Sequence, residues 1–350
     1  MRFSFYSLAF LLAVHACAQG DAINDLIRSE MQSRRIPGLA LAIIQDGKTT
    51  RTAAYGQANL ELSVPVTPAC VFEIGSVTKQ FTAAGILLLE QDGKLSVDDR
   101  ISRHLEHTPE AWKDVTIRHL LTHTSGIKSY TGLSGFELTR KLSRAQFIAA
   151  IGQHPLQFTP GEQWAYSNTG YSLLGHIIET VSGTDYWDFL SARIFRPLGM
   201  QATTNRLPTL VIPNRAAGYE QKNGRHINRD YDLTDVFSAG AMVSTVGDLA
   251  KWNAALDTEA LLNARSKRAM WQDHTLTGGK KTGYGFGWHV GQVNGRLNIG
   301  HGGSTSGFSA TLQRFPEDNL AIIILSNTDE QIATTLARKL ATLCLPAARP

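Results

Sequence analysis

Apolar positions along the chain change their period several times, and each change predicts an element. Ile23, Leu26, Ile27 and Met31 recur at helical spacing, so Ala22 to Arg34 is expected as an amphipathic helix that ends near Pro37. Leu39 to Ile44 is a continuous apolar run, and Asp46-Gly47 then marks a tight hairpin into a more polar strand from Lys48 to Tyr55. The other end of the chain has the same pattern. Phe308 to Phe315 and Leu320 to Ser326 read as strands around a turn at Pro316-Glu317-Asp318-Asn319, and Ile332, Leu336, Leu340 and Leu343 give a last amphipathic helix. Tyr284 to Val290 reads as a further, aromatic strand, while the chain from about Ser76 to Lys280 is mostly helical with long loops. Strands near both ends with helices between them predict an α+β fold. One antiparallel sheet is assembled from distant parts of the chain, with a helical insertion against it. There is no repeat, low-complexity tract or linker, so a single domain is expected over 19–350. Its sheet part covers about 19–75 and 281–350, and its helical part about 76–280.

Composition narrows the function classes. With 43% hydrophobic and 18% charged residues in 350, the chain buries a sizeable core and is not a disordered protein. The formal charge is +4, and the basic clusters (Arg34-Arg35, Lys280-Lys281, Arg265-Ser266-Lys267-Arg268) are too scattered to track phosphates. Nucleic acid is therefore not expected as a partner. No stretch is long and apolar enough to span a bilayer. Met1-Arg2, an apolar run from Phe3 to Val14, and Ala16-Cys17-Ala18 have the order of a signal peptide over 1–18. The mature chain would begin at Gln19 and be periplasmic or secreted. A lipoprotein signal ending at Cys17 is the rival reading, and His15 fits it poorly. Cys70 and Cys344 remain after cleavage, and whether they pair is open at this stage.

The chain lacks a G-x-S-x-G elbow and an H-E-x-x-H motif. His104-Leu105-Glu106-His107 reads as surface, and the glycines around Tyr284-Gly285-Phe286-Gly287-Trp288 precede no helix that could cradle a phosphate. The informative stretch is Phe72 to Leu89, in which Ser76 opens an apolar helix whose only charge from there on is Lys79, one turn further along the same face. Burial and the helix N-terminus both lower the pKa of such an ammonium, and a neutral lysine can take a proton from a serine hydroxyl. Ser125-Gly126-Ile127-Lys128 has the same spacing but lies in a loop composition. Tyr166-Ser167-Asn168 follows a turn at Pro160-Gly161 and precedes an apolar helix, Tyr171 to Val181, stopped by Gly183. Its phenol could move a proton and its carboxamide could orient a substrate amide. A third element, Gly300-His301-Gly302-Gly303-Ser304-Thr305-Ser306-Gly307-Phe308, enters the C-terminal hairpin, with glycines that let a substrate backbone approach a strand edge.

Together, Ser76-Val-Thr-Lys79, Tyr166-Ser-Asn168 and His301-Gly-Gly303 resemble, in order and wide spacing, the motifs of the penicillin-recognising serine hydrolases. Class C β-lactamases, DD-peptidases, D-aminopeptidases and related carboxylesterases belong to that superfamily. Leu120 to Gly126 resembles it too. Lys281-Thr282-Gly283 matches the third motif literally, but it does not lead into the final hairpin as His301-Gly302-Gly303 does. The resemblance implies a five-stranded antiparallel sheet flanked by terminal helices beside an all-helical region. It also implies acyl transfer through Ser76, with Lys79 or Tyr166 as first base and the N–H groups of Ser76 and Ser304 as oxyanion hole. Asn168 and Gly303 would hold the substrate, and His301 would act on Tyr166 electrostatically. No metal or organic cofactor is implied. The expected substrates are small esters, amides or D-amino-acid peptides. Gly302 stands where the family carries a threonine that binds carboxylates. That departure tilts the expectation toward an esterase or peptidase-like enzyme and away from an efficient β-lactamase or D-alanyl-D-alanine carboxypeptidase. A catalytically weak β-lactam or peptidoglycan sensor is the reading from another class.

Overall fold

The computed structural model describes residues 21–134 and 142–345; the expected signal peptide over 1–18 lies outside the described residues. Residues 21–34 form helix α1. Strands β1 (Gly38–Gln45) and β2 (Lys48–Asn59) follow, joined by Asp46 and Gly47, whose φ angles of 51° and 73° are those of the hairpin turn that an Asp-Gly pair favours. The chain continues through β3 (Val64–Pro65), β4 (Phe72–Glu73), α2 (Thr78–Gln91), α3 (Ile117–Leu121), α4 (Arg144–Gly152), α5 (Asn168–Ser182) and α6 (Tyr186–Leu190). Then come β5 (Thr204–Asn205), the hairpin β6 (Gly218–Lys222) and β7 (Arg225–Arg229), β8 (Met242–Ser244), α7 (Val246–Leu256) and α8 (Ala264–Trp271). The chain returns to the sheet with β9 (His289–Val293), β10 (Arg296–Thr305), β11 (Phe308–Phe315) and β12 (Leu320–Ser326), and α9 (Ala333–Cys344) is the last helix.

The main sheet has the order β3-β2-β1-β12-β11-β10-β9 and is antiparallel throughout. The five expected strands are its centre, and β3 and β9 extend its two edges. Both faces of the sheet are covered, which is why Leu39 to Ile44 is apolar without alternation. Leu39, Leu41 and Ile43 pack with Ile322 and Ile324 under α1 and α9. Ala40, Ala42 and Ile44 join Leu312, Ile323 and Leu325 in the larger core, where α7 packs on β1 and β12. The aromatic segment read as a strand from Tyr284 is instead a turn, because Gly283 and Gly287 hold φ of 70° and 80°. The true strand starts at His289. Two small sheets that the sequence did not predict, β4-β8-β5 and the hairpin β6-β7, lie within the helical part.

Three features of this frame place the site. A single 3₁₀ turn, Gly75–Val77, carries Ser76 into α2, which is buried from Thr78 to Leu89. Helix α5 is fixed at both ends, by the Ser167 side chain accepting from the Gly170 N–H and by Gly183 in the left-handed region (φ 72°). Strand β10 pairs with β11 as far as Thr305 but with β9 only as far as Gly300, so among the described residues no strand covers the outer edge of His301 to Ser304.

Candidate active site

Ser76 sits at the mouth of the buried helix, and Lys79, with no exposed surface, points back at it; Lys79 Nζ lies 3.0 Å from Ser76 Oγ. Nζ also donates to Asn168 Oδ1 at 2.8 Å and to the Ala239 carbonyl at 2.7 Å. Burial pushes the Lys79 pKa well below that of a free lysine. A neutral amine has two protons and one lone pair. Asn168 Oδ1 and the Ala239 carbonyl can only accept, so they take the two protons and leave the lone pair for the serine hydroxyl. Tyr166 reaches Ser76 from the other side with its phenol, and its ring stands over Nζ at 4.8 Å. Burial raises the phenol pKa far above its ordinary value, which keeps Tyr166 a proton donor at neutral pH. The sequence expected Asn168 to hold substrate; here its carbonyl oxygen is engaged with Lys79.

His301 is buried, and both of its ring nitrogens are engaged. Nδ1 donates to the Gly302 carbonyl at 2.5 Å, which leaves Nε2 to accept from the Tyr284 hydroxyl at 2.9 Å. Burial is the largest influence on it and pushes its pKa well below the ordinary value. The ring is therefore neutral, 6.1 Å from that of Tyr166, and supplies no positive charge to it. The ring stacked closest to Tyr166 is that of His123, at 4.3 Å, whose Nδ1 accepts the Ser167 N–H. Sequence reasoning noted the stretch around His123 without giving it a role, and it read Tyr284 only as the start of a strand.

The open edge of β10 forms one wall of a cleft of about 460 Å³ that also takes in Ser76 and Tyr166. Gly303 admits no side chain, since a Cβ there would lie 1.9 Å from the Ile74 carbonyl oxygen. This close packing brings Ser304 beside the Gly75–Ser76 backbone; a Cβ on Gly75 would stand 2.7 Å from the Ser304 nitrogen. Helix α9 and the turn before it supply the opposite wall through Gln331, Thr334 and Arg338, spaced so that they share one face. Thr334 Oγ1 lies 2.5 Å from where a Gly302 Cβ would be. A hydroxyl thus stands beside Gly302 after all, contributed by α9. Arg338 is exposed to the cleft with no acidic partner among the described residues, and none of the residues lining the cleft is acidic.

The other candidates lie elsewhere. Ser125 is buried in a loop where its Oγ accepts the Ile127 N–H, and Lys281 is exposed outside the cleft. His104 is tucked against Asp99 at 2.9 Å. Cys70 and Cys344 are free thiols. Among the described residues no helix is long and apolar enough to cross a membrane.

Comparison with known proteins agrees with this geometry. The sequence model of the Beta-lactamase family matches residues 23–344. A penicillin-binding protein of Bacillus subtilis (strain 168) is 32% identical over 327 residues, which cover 88% of this chain and 72% of that protein. Protein flp of Staphylococcus aureus (strain MW2) is 30% identical over 334 residues, 91% of this chain but only 65% of its own length. Among solved structures, the octameric penicillin-binding protein homologue from Pyrococcus abyssi superposes with a TM-score of 0.81 at 29% identity, covering 93% of this chain and 77% of that one. The D-amino acid amidase from Ochrobactrum anthropi SV3, complexed with L-phenylalanine amide, gives 0.82 at 27% identity, covering 93% and 98%.

Proposed function

The chain belongs to the beta-lactamase family and is a serine hydrolase of its acyl-enzyme type; on that premise we propose that it cleaves amide and ester bonds, with D-amino acid amides and peptides as its substrates, through an acyl group carried on Ser76. The observation that carries the reading is the Lys79 amine, fully buried, held by two acceptors and 3.0 Å from Ser76 Oγ. Lys79 takes the serine proton as Ser76 attacks the carbonyl. The Ser76 and Ser304 N–H groups receive the oxyanion. Tyr166, kept as a neutral phenol, protonates the leaving amine or alkoxide, and water then releases the acyl group by the reverse proton route. Asn168 orients Lys79. The likeness to a D-amino acid amidase supports the amide reading. Export through the 1–18 signal is part of the proposal; N-terminal sequencing of secreted or periplasmic protein should start at Gln19, and an intact Met1 or a lipidated Cys17 would contradict it.

A specific observation favours donors with a negatively charged group beyond the scissile bond. Arg338 lines the cleft with no acidic partner among the described residues, and the Thr334 hydroxyl stands beside Gly302. These groups offset the missing threonine that the sequence counted against carboxylate recognition. The test has two parts. Intact-mass analysis with a fluorophosphonate should add one phosphonyl group to the protein and none to Ser76→Ala; equal labelling of both would end the assignment. Turnover of D-alanyl-p-nitroanilide, p-nitrophenyl butyrate, a D-alanyl-D-alanine peptide and a chromogenic cephalosporin then ranks the donors. The amide, ester or peptide should exceed the cephalosporin in kcat/KM, and the opposite order would make the enzyme a β-lactamase.

A further inference from the structure

The mechanism leaves one buried carboxylate unused, three residues before the nucleophile. Glu73 closes β4, paired with Val243 of β8, and only 3% of its surface is exposed. Its Oε2 accepts from Thr305 Oγ1 at 2.7 Å. Thr305 follows Ser304, and Glu73 belongs to the segment that delivers Ser76. Each side of this hydrogen bond therefore leads, within three residues, to one of the two N–H groups assigned to the oxyanion. The backbones of these segments touch directly. The Cβ positions of Gly303 and Gly75 would fall 2.9 Å from the Ser76 nitrogen and 2.7 Å from the Ser304 nitrogen. Two glycines permit that approach, but neither can hold the segments in register, whereas a side-chain bond can.

We propose that Glu73 is a positioning residue that clamps the two halves of the oxyanion hole through Thr305, and that the clamp is tight only when Glu73 is ionised. This rests on the acyl-enzyme reading of Ser76 and Ser304 given above. The groups that face the carboxylate set its charge. Arg206, 4% exposed, places Nε 3.3 Å from Glu73 Oε1. Arg206 in turn pairs with Asp230, which also meets Arg215 at 3.2 Å. The four charges balance when Glu73 is ionised and leave one positive charge in excess when it is not. Burial is the largest influence on Glu73 and the Asp230 charge adds to it, while the Thr305 bond, Arg206 and Arg215 oppose both; the pKa is pushed up to about 7. The switch therefore falls in the neutral range. A hydroxyl donated to a carboxylate is roughly twice as strong a bond as one donated to a neutral acceptor. Protonation loosens the clamp, and with it the register of the Ser76 and Ser304 N–H groups, without changing the charge of any group that touches substrate.

The experiment measures the rate of Ser76 acylation and the affinity for a boronic acid, which mimics the tetrahedral state, from pH 5.5 to pH 8.5. Wild type, Glu73→Gln, Thr305→Val, Thr305→Ser and the double variant Glu73→Gln/Thr305→Val are compared. At pH 8, Glu73→Gln and Thr305→Val should each lose about tenfold in acylation rate and in boronate affinity, less than removal of an oxyanion donor costs. KM for a small ester should stay close to wild type. The rate inflection near pH 7 should vanish in both variants, the double variant should be no slower than either single one, and Thr305→Ser should behave as wild type. Loss by the same factor at every pH, with the inflection retained, would reduce Glu73 to a fold-stabilising residue and overturn the proposal; so would a Glu73→Gln protein with wild-type rates throughout. Failure of the broader reading looks different, since wild-type Ser76 would then not be acylated at all.

Discussion

At Gly302, one missing side chain and one neighbouring hydroxyl decide what the cleft can accept. The sequence suggested that a threonine introduced there would restore a hydroxyl for carboxylates. The structure reverses the expected sign, because the new Cβ would lie 2.5 Å from Thr334 Oγ1, itself bonded to Thr311 Oγ1 at 3.1 Å. Overfilling a packed position typically costs about 1–3 kcal/mol. Gly302→Thr should therefore lower both stability and kcat/KM, and Thr334→Ala in the same chain should recover part of each. The informative variant is Thr334→Val, which keeps the shape and removes the hydroxyl. A hydrogen bond to a charged group is worth about 1.5–3 kcal/mol. The Thr334 proton is given to Thr311 Oγ1 and must be exchanged for the carboxylate, so Thr334→Val should lower kcat/KM for a carboxylate-bearing cephalosporin by about tenfold or less, while p-nitrophenyl butyrate is spared. Equal losses on the two substrates would show that the Thr334 hydroxyl does not read the carboxylate.

At the scale of elements, helix α5 carries Tyr166 and Asn168 at its start, and its ends are set by local chemistry. Gly183 holds φ 72° with no atom within 4 Å of where its Cβ would be, so only backbone strain opposes a side chain there. Gly183→Ala should cost about 1–2 kcal/mol, the penalty of a left-handed residue, and leave kcat/KM unchanged; denaturant titration and the ester assay read the two. The same local chemistry explains how much was legible in advance. Phe308–Phe315 and Leu320–Ser326 were readable to the residue because the turn residues Pro316 to Asn319 separate them and the second is a continuous apolar run. The stop of α2 at Asp92 and of α5 at Gly183 followed from the residues themselves. Strands β4, β5 and β8 have two or three residues each, too few to show a period. The site divides in the same way. Ser76 and Lys79 lie three residues apart, across the 3₁₀ turn that runs into α2, so their pairing was visible. The bonds of His123 to Ser167, of Tyr284 to His301 and of Glu73 to Thr305 span 44, 17 and 232 residues, and no spacing rule reaches that far. Arg338 and Thr334 were invisible for a related reason, since the apolar face of α9 predicts the helix but not what its other face overlooks.

Across the whole molecule, the buried titratable groups make stability depend on pH in a direction that can be worked out. Burial pushes the His123 and His301 pKa values well below the ordinary 6.5, and that of Lys79 well below 10.5. For each, the unfolded chain takes up a proton that the folded chain refuses. The histidines' share of stability is present above about pH 6.5 and is lost as pH falls below it; that of Lys79 is already declining below 10.5. Glu73 works the other way. With its pKa raised from 4.5 to about 7, the folded chain keeps a proton that the unfolded chain releases, so acidification through this range favours folding. Between pH 7 and pH 5.5 these bases, joined by His119, His274 and His289 whose pKa values burial also lowers, outweigh the one acid, and unfolding takes up protons. Each proton of that difference is worth about 1.4 kcal/mol per pH unit. Stability should therefore fall from pH 7 to pH 5.5, and the fall should be steeper in Glu73→Gln, which lacks the opposing proton. At pH 8 the same variant should be more stable than wild type, by about 3 kcal/mol at most, because it escapes the cost of burying a carboxylate charge. Urea unfolding of both proteins at pH 8, 7, 6 and 5.5 measures the two slopes. A wild type that gains stability on acidification would mean that His123 and His301 are charged in the folded protein, and the cleft would then hold a positive charge beside Tyr166.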